Sequence, residues 1–363
     1  GGTMANLTGI IAGLRATAGY DTKARGLQAP NRPGLYTIYM ADHEGHSSVY
    51  RVAEILGLGA DAVRLVPSRD DFTMDVDALE ARLDEDAAAG DVPFCVVGQV
   101  GSINAGAIDP LDEIADVCAD RDLWFHADGA IGAVGAILPD KRPQYAGLER
   151  ADSVTLDPHK WLYVPYECGC VLVRDESLLP EAFAMDAAYL QGTMRTPYEG
   201  FDYYEHGPQM SRGFRALKVW MSLKHYGVEG YRTLLSQNVR CAEHLDARVR
   251  ESDDFVALHE PNLHIYSFQY APADLRDATD EADGRREAID AYLDELNQRI
   301  ADEIQLSGVA FVMTTSMHDR TVLRLSICSH RTTPDDVDET FDTLRDVGER
   351  VDAELRERLD VDR

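Results

Sequence analysis

The sequence predicts a two-part α/β protein: a larger domain over 1–225 built around a mostly parallel sheet, and a small α+β domain over 226–363. Three observations carry this. Short apolar runs alternate with amphipathic stretches up to about residue 225, as crossovers around a parallel sheet require. Beyond that point the pattern changes to a long one-faced helix followed by two strands. A chain of 363 residues, 45% hydrophobic, is also long enough to bury a sizeable core.

The elements follow in order. The opening "GGTMANL" (1–7) sets two glycines and a threonine at a helix start, where free backbone N–H groups and a hydroxyl suit a phosphate. "VDALEARLDEDAAAG" (76–90) is a helix ended by Gly90. "FCVVGQV" (94–100), "LWFHAD" (123–128), "ADSVTL" (151–156) and "GCVLVR" (169–174) read as strands, with "DPLDEIADVCADRD" (109–122) the helix between the first two. The acidic stretch 271–287 reads as a solvated loop. In 286–304, Ile289, Tyr292, Leu293, Leu296, Ile300 and Ile304 share one helical face. "GVAFVMT" (308–314) and "TVLRLSIC" (321–328) read as strands. A last helix starts at Thr333, with Pro334 first and Asp335 and Asp336 in its first turn.

Asp and Glu number 64 against 35 Lys and Arg, a net charge of −29 spread along the chain. Such a surface repels nucleic acid and anionic membrane, so neither is an expected partner. The acidity with little lysine reads as adaptation to high salt, with an ordinary acidic protein as the alternative. Six cysteines without a disulfide-framework spacing point to a reducing, cytoplasmic setting. Cys168 and Cys170 form half a metal motif at most, and strand alternation explains them as well; no metal is expected. No apolar run approaches 18 residues and no leader is visible. The opening, already inside an element and without an initiator methionine, reads as the start of a fragment.

In open α/β sheets, ligands sit beyond the carboxyl ends of the strands. Those ends carry Gly101 and Ser102, Asp128, and the run Asp157-Pro158-His159-Lys160. Only five of the 35 basic residues are lysines, so Lys160 needs a reason to be lysine. A primary amine forms a Schiff base with an aldehyde, which a permanently protonated guanidinium does not. A phosphate cradle, a carboxylate and a lysine together match the needs of pyridoxal 5'-phosphate, with Asp128 placed to hold the pyridine nitrogen protonated.

On "GGTMANL", "DHEGHSSVYRVAEILG", "VGSINAGAIDP", "LWFHADGAIG", "ADSVTLDPHKWL", "SRGFRALKVW" and "VLRLSICSHR", the chain resembles the group II pyridoxal-phosphate-dependent amino-acid decarboxylases over essentially its whole length. The resemblance implies a fold-type I α/β enzyme that converts an L-amino acid to an amine and CO2 as a homodimer. It implies that Lys160 carries the cofactor, Asp128 pairs with its ring nitrogen, and His46 and Ala130 pack on opposite ring faces. Gly2, Thr3, Asp157 and His159 then lie around the phosphate. Tyr189, in a glycine-rich stretch resembling the family's mobile loop, is the implied proton donor to the substrate's Cα; family members with phenylalanine there yield an aldehyde instead.

Three positions depart from the family pattern. Ile103 stands where a hydroxyl is usual, leaving Ser102 to compensate. Gly129 replaces an alanine. Asp157 sets an anion where some members have asparagine, beside the expected phosphate. Alternatives stay open: an aminotransferase or carbon–carbon lyase on the same fold, an inactive fragment, Asp128 as a turn cap, and Tyr189 as a surface tyrosine. The run Gly129, Gly132, Gly135 lacks dinucleotide-fingerprint spacing.

Overall fold

The computed structural model describes residues 1–28, 34–42, 44–185, 202–276 and 283–361. The chain divides into two compact units, one of Gly1–Val100 and Ile108–Val228, the other of Gly101–Ala107 and Glu229–Arg363.

In the first unit, β1 (Tyr36–Ala41), β2 (Val63–Val66), β3 (Val92–Gln99), β4 (Trp124–Asp128), β5 (Ser153–Leu156) and β6 (Cys170–Val173) form one sheet in the order β2-β1-β3-β4-β5-β6. Every pairing is parallel except β5 with β6. The chain runs outward from β1 to β2, then returns to build β3, β4 and β5 on the other side. This reversal opens a crevice at the carboxyl ends of β1 and β3.

Strand alternation sends side chains to two cores. Ile38, Met40, Cys95, Val97 and Trp124 pack with Leu7, Ile10 and Leu14 of α1 (Gly2–Thr17) and Val49 and Val52 of α2 (Ser48–Ile55). Tyr39, Ala41, Val96, Phe125 and Ala127 face Leu79 and Leu83 of α3 (Val76–Ala89) and Leu111 and Ile114 of α4 (Leu111–Asp120). Asp75 caps α3 by accepting from the Ala78 N–H, and Gly90 ends it in the left-handed region at φ 88°.

Helix α5 (Arg215–Glu251) is interrupted at Gly227, whose φ of 62° is outside helical range. In the second unit, β7 (Phe255–Ala257), β8 (Ile265–Tyr270), β9 (Met313–Met317) and β10 (Arg320–Ser326) form an antiparallel sheet in the order β7-β8-β10-β9. Its core joins Tyr266, Phe268 and Leu323 to Leu245 of α5, Leu296 and Ile300 of α6 (Asp283–Ser307), and Phe341 and Leu344 of α7 (Pro334–Val361).

Two expectations need correction. The strand expected at 308–314 begins only at Met313 and runs to Met317, leaving Phe311 exposed. The acidic loop expected over 271–287 contains a helical turn at Ala273–Arg276 and the start of α6 at Asp283.

Candidate active site

The site residues converge because α1 packs lengthwise along β4 and β5, with its N-terminus at their carboxyl ends. Helix positions 2, 6, 9 and 13 form one stripe, and strand positions 124, 126 and 128 form one face. Gly13 lies on Trp124, Gly9 on His126 and Ser153, Asn6 on Asp128, and Gly2 on Asp157. A Cβ at Gly13 would stand 2.4 Å from Trp124 Cγ, so the small residues permit this approach.

Asp128 ends β4, buried, and its carboxylate is held from both sides. Oδ1 accepts the Ala130 N–H at 3.2 Å, and Oδ2 accepts Asn6 Nδ2 at 2.8 Å. The Ala130 carbonyl in turn accepts the Asp157 N–H at 3.2 Å, tying the turn after β4 to the turn after β5. Asp157 Oδ2 accepts the Gly2 N–H at 3.1 Å and lies 3.2 Å from Lys160 Nζ. His159 Nε2 is 3.8 Å from the same oxygen. Asp157 Oδ1 is buried without a hydrogen-bond partner among the described residues. The Lys160 side chain stays 30% exposed, whereas that of Asp157 is 1% exposed, so the amine is the accessible half of the pair.

His46 follows β1, and its Nδ1 accepts the Ser48 N–H at 3.0 Å. In the neutral ring that bond puts the proton on Nε2. The Ser48 hydroxyl accepts Asn6 Nδ2 at 3.0 Å, linking the His46 turn to Asp128 through α1. Thr3 lies half-buried in the first turn of α1, where helix N–H groups lack intrahelical acceptors.

Ser102 groups with the second unit, and its Oγ accepts the Ala107 N–H at 3.0 Å within its own loop. That loop is fastened by Arg324 Nε donating to the Ile103 carbonyl at 2.6 Å and by Thr315 Oγ1 donating to Asn104 Oδ1 at 2.6 Å. Tyr189 lies outside the described residues.

Asn6, Ser48 and His126 carry no expectation from sequence, yet they form the frame around Asp128. The signals were two spacings: alternation in "WFHAD" puts His126 on the face of Asp128, and Asn6 is one helical turn from Gly2. No group of metal ligands occurs among the described residues.

Residues 1–271 match the family model described as the pyridoxal-dependent decarboxylase conserved domain. The chain belongs to that family. The family's cofactor is pyridoxal phosphate and its reaction class is the decarboxylation of amino acids, a carboxy-lyase chemistry. The chain is 33% identical to an aromatic-L-amino-acid decarboxylase of Bacillus atrophaeus over 97% of its own length and 68% of that protein. Mouse CSAD superposes with a TM-score of 0.87 at 27% identity, covering 96% of this chain and 70% of that one. Oryza sativa TDC, solved with PLP and tryptamine, gives a TM-score of 0.83 at 26% identity over 96% and 69%. The chain thus spans about two thirds of these relatives.

The residues present fit the cofactor. Gly2 keeps the start of α1 open, since a Cβ there would stand 2.5 Å from Asp157 Oδ2. The Lys160 side chain is accessible, 30% exposed, and the Asp128 carboxylate accepts from Asn6 and Ala130. Asp157, unfavourable beside a phosphate by itself, is countered here by Lys160 and the Gly2 N–H.

Proposed function

We propose that this chain decarboxylates an L-amino acid, with pyridoxal phosphate held on Lys160 and Asp128 as the partner of its ring nitrogen. The carrying observation is the path Asp128–Ala130–Asp157–Lys160, two hydrogen bonds closed by an ion pair, which ties the acid and the amine together through two adjacent turns. When bound, the cofactor supplies an aldehyde and an electron-accepting ring.

The protein supplies the rest. Asp128, an acceptor only when ionised, keeps a proton on the ring nitrogen. The first turn of α1 would offer the Thr3 N–H and hydroxyl to the phosphate, with Gly2 keeping the approach open while its own N–H serves Asp157, and His159 stands beside Asp157 on that side. His46 and Ala130 would hold the ring on opposite faces, and Ser102 would supply a hydroxyl to the ring's oxygen substituent. Tyr189 would be the general acid that supplies a proton at the substrate's Cα.

The working form is a homodimer in the cytoplasm. Its support is the apolar surface around the start of α5, where Phe214 is 76% and Trp220 60% exposed, with Met221 beside them. No helix among the described residues is long and apolar enough to cross a membrane.

Release of CO2 from a panel of L-amino acids, aromatic ones first because of the relatives' names, tests the reading. An amine product with stoichiometric CO2 is expected. Transfer of the amino group to a keto acid, without CO2, would replace the reading with transamination.

A further inference from the structure

Behind Asp128 lies a buried polar chain that the reaction as described does not use. Asn6, His126 and Ser153 are all buried. An ionised Asp128 accepts hydrogen bonds only, so Asn6 must turn Nδ2 toward it, at 2.8 Å. That turns Asn6 Oδ1 toward His126 Nε2, at 3.1 Å, and a carbonyl oxygen requires a hydrogen there. Burial pushes the His126 imidazole down, outweighing the upward pull of Asp128, so the ring is neutral and its one hydrogen sits on Nε2. Nδ1 is then an acceptor, and Ser153 Oγ lies 2.7 Å away to donate. Ser153 can give its hydrogen because its own acceptor side is used by the donor-only Trp124 Nε1, at 2.9 Å. The Asn6 end sets this direction and the Trp124 end is compatible with it; Thr155 Oγ1, 3.4 Å from His126 Nε2, can accept the same hydrogen.

We infer that Asn6 and His126 are positioning residues: the directed chain Trp124–Ser153–His126–Asn6 selects the amide orientation that presents a donor to Asp128 and so fixes its carboxylate toward the cofactor's ring nitrogen. The proton on His126 Nε2 is the selecting element. With that proton moved to Nδ1, Asn6 gains nothing from keeping Oδ1 on the histidine. The rotated amide would then set an oxygen against the carboxylate. Gly9 lets α1 approach this chain closely, since a Cβ there would stand 3.0 Å from His126 Nδ1 and Ser153 Oγ. The inference rests on Asp128 facing the ring nitrogen.

The test uses the cofactor-loaded protein with 15N-labelled histidine, the His126 resonances being assigned by their loss in His126→Gln. A neutral ring protonated at Nε2 at pH 7 is expected. His126→Gln can place an amide N–H near the Nε2 position and an amide oxygen near Ser153, so its cofactor dissociation constant should stay within about threefold of the parent. His126→Phe, of similar size and without a donor, should raise it at least tenfold. Ser153→Ala should shift the tautomer mixture toward Nδ1–H and weaken cofactor binding, and it serves if His126→Phe does not fold. An Nδ1–H or protonated His126 in the parent would overturn the inference, as would parental affinity in His126→Phe or, where that variant does not fold, in Ser153→Ala. Failure of the underlying reading looks different: Asp128→Asn would bind cofactor and turn over normally, and the inference would then fall with its target even with Nε2–H in place.

Discussion

At the scale of single residues, the fold depends on buried groups whose charge state is set by burial. His264 in the second unit is wholly buried, and burial, with Arg324 adding repulsion, pushes its imidazole down to about 3. His126 in the first unit shifts the same way, mainly by burial. Both stay neutral in the folded protein while an unfolded histidine takes up a proton near its ordinary value of about 6.5. Their contribution is therefore complete above pH 6.5 and is lost as pH falls from there toward the folded values. Denaturant titrations should show stability dropping by roughly 1.5 kcal/mol per histidine between pH 6.5 and pH 5. His264→Gln should remove one proton's worth of that slope. A slope unchanged in the variant would show that His264 is not buried neutral.

Among the residues, Lys160, Asp128 and Asp157 were legible in the sequence because strand ends in an α/β sheet are where ligands bind, and their residue types name the chemistry. Asn6 and His126 were not, because a buried asparagine or histidine becomes informative only once its partners are known. Here those partners lie 122 and 120 residues away in the chain.

At the scale of elements, α1 matters through its stripe of small residues. Its helical repeat meets the two-residue repeat of β4, so each turn of the helix finds the next inward side chain of the strand. Gly13→Ala would place a Cβ 2.4 Å from the Trp124 ring and force helix and strand apart. A loss of about 1–3 kcal/mol is expected from such overpacking, measured by denaturant unfolding. Gain of stability, as a helix-favouring alanine would give at an open position, would contradict this packing.

The β3-to-β5 region was legible because β3 is a nearly continuous apolar run, the pattern of a strand buried on both faces, and β4 and β5 follow it as short runs separated by a helix and turns. The β9 hairpin was not. Residues 309, 311 and 313 alternate as a strand's buried face would, yet Val309, Phe311 and Met313 are exposed and Val312 is buried. What sets the strand is the turn: His318 and Asp319 both take positive φ, at 50° and 60°, as a two-residue hairpin loop demands. That loop pairs Met317 with Arg320 and carries the strand back only to Met313. His-Asp lacks the glycine that usually announces such a turn. Nor does α5 read as one buried stripe, because Gly227 splits it and Trp220 and Met221 are exposed.

At the scale of the whole molecule, the two-part α/β character follows from the change of pattern near residue 225. The assignment of Gly101–Ala107 to the second unit does not, because it depends on bonds from Ser267, Thr315 and Arg324, far along the chain. The net charge of −29 acts on the same scale. Self-repulsion opposes compaction in dilute buffer, and salt shortens its reach to about 3 Å at molar concentration. The melting temperature should accordingly rise from dilute buffer to molar potassium chloride. A melting temperature indifferent to salt would show that the surface charge does not limit stability.

The account as a whole depends on the amine that Asp157 holds at the edge of the sheet. Borohydride reduction of the cofactor-loaded protein, followed by peptide mapping, tests this most directly. The modified peptide should contain Lys160, and Lys160→Ala should take up no label. A label on Lys23, Lys141, Lys218 or Lys224 instead would contradict the site described here.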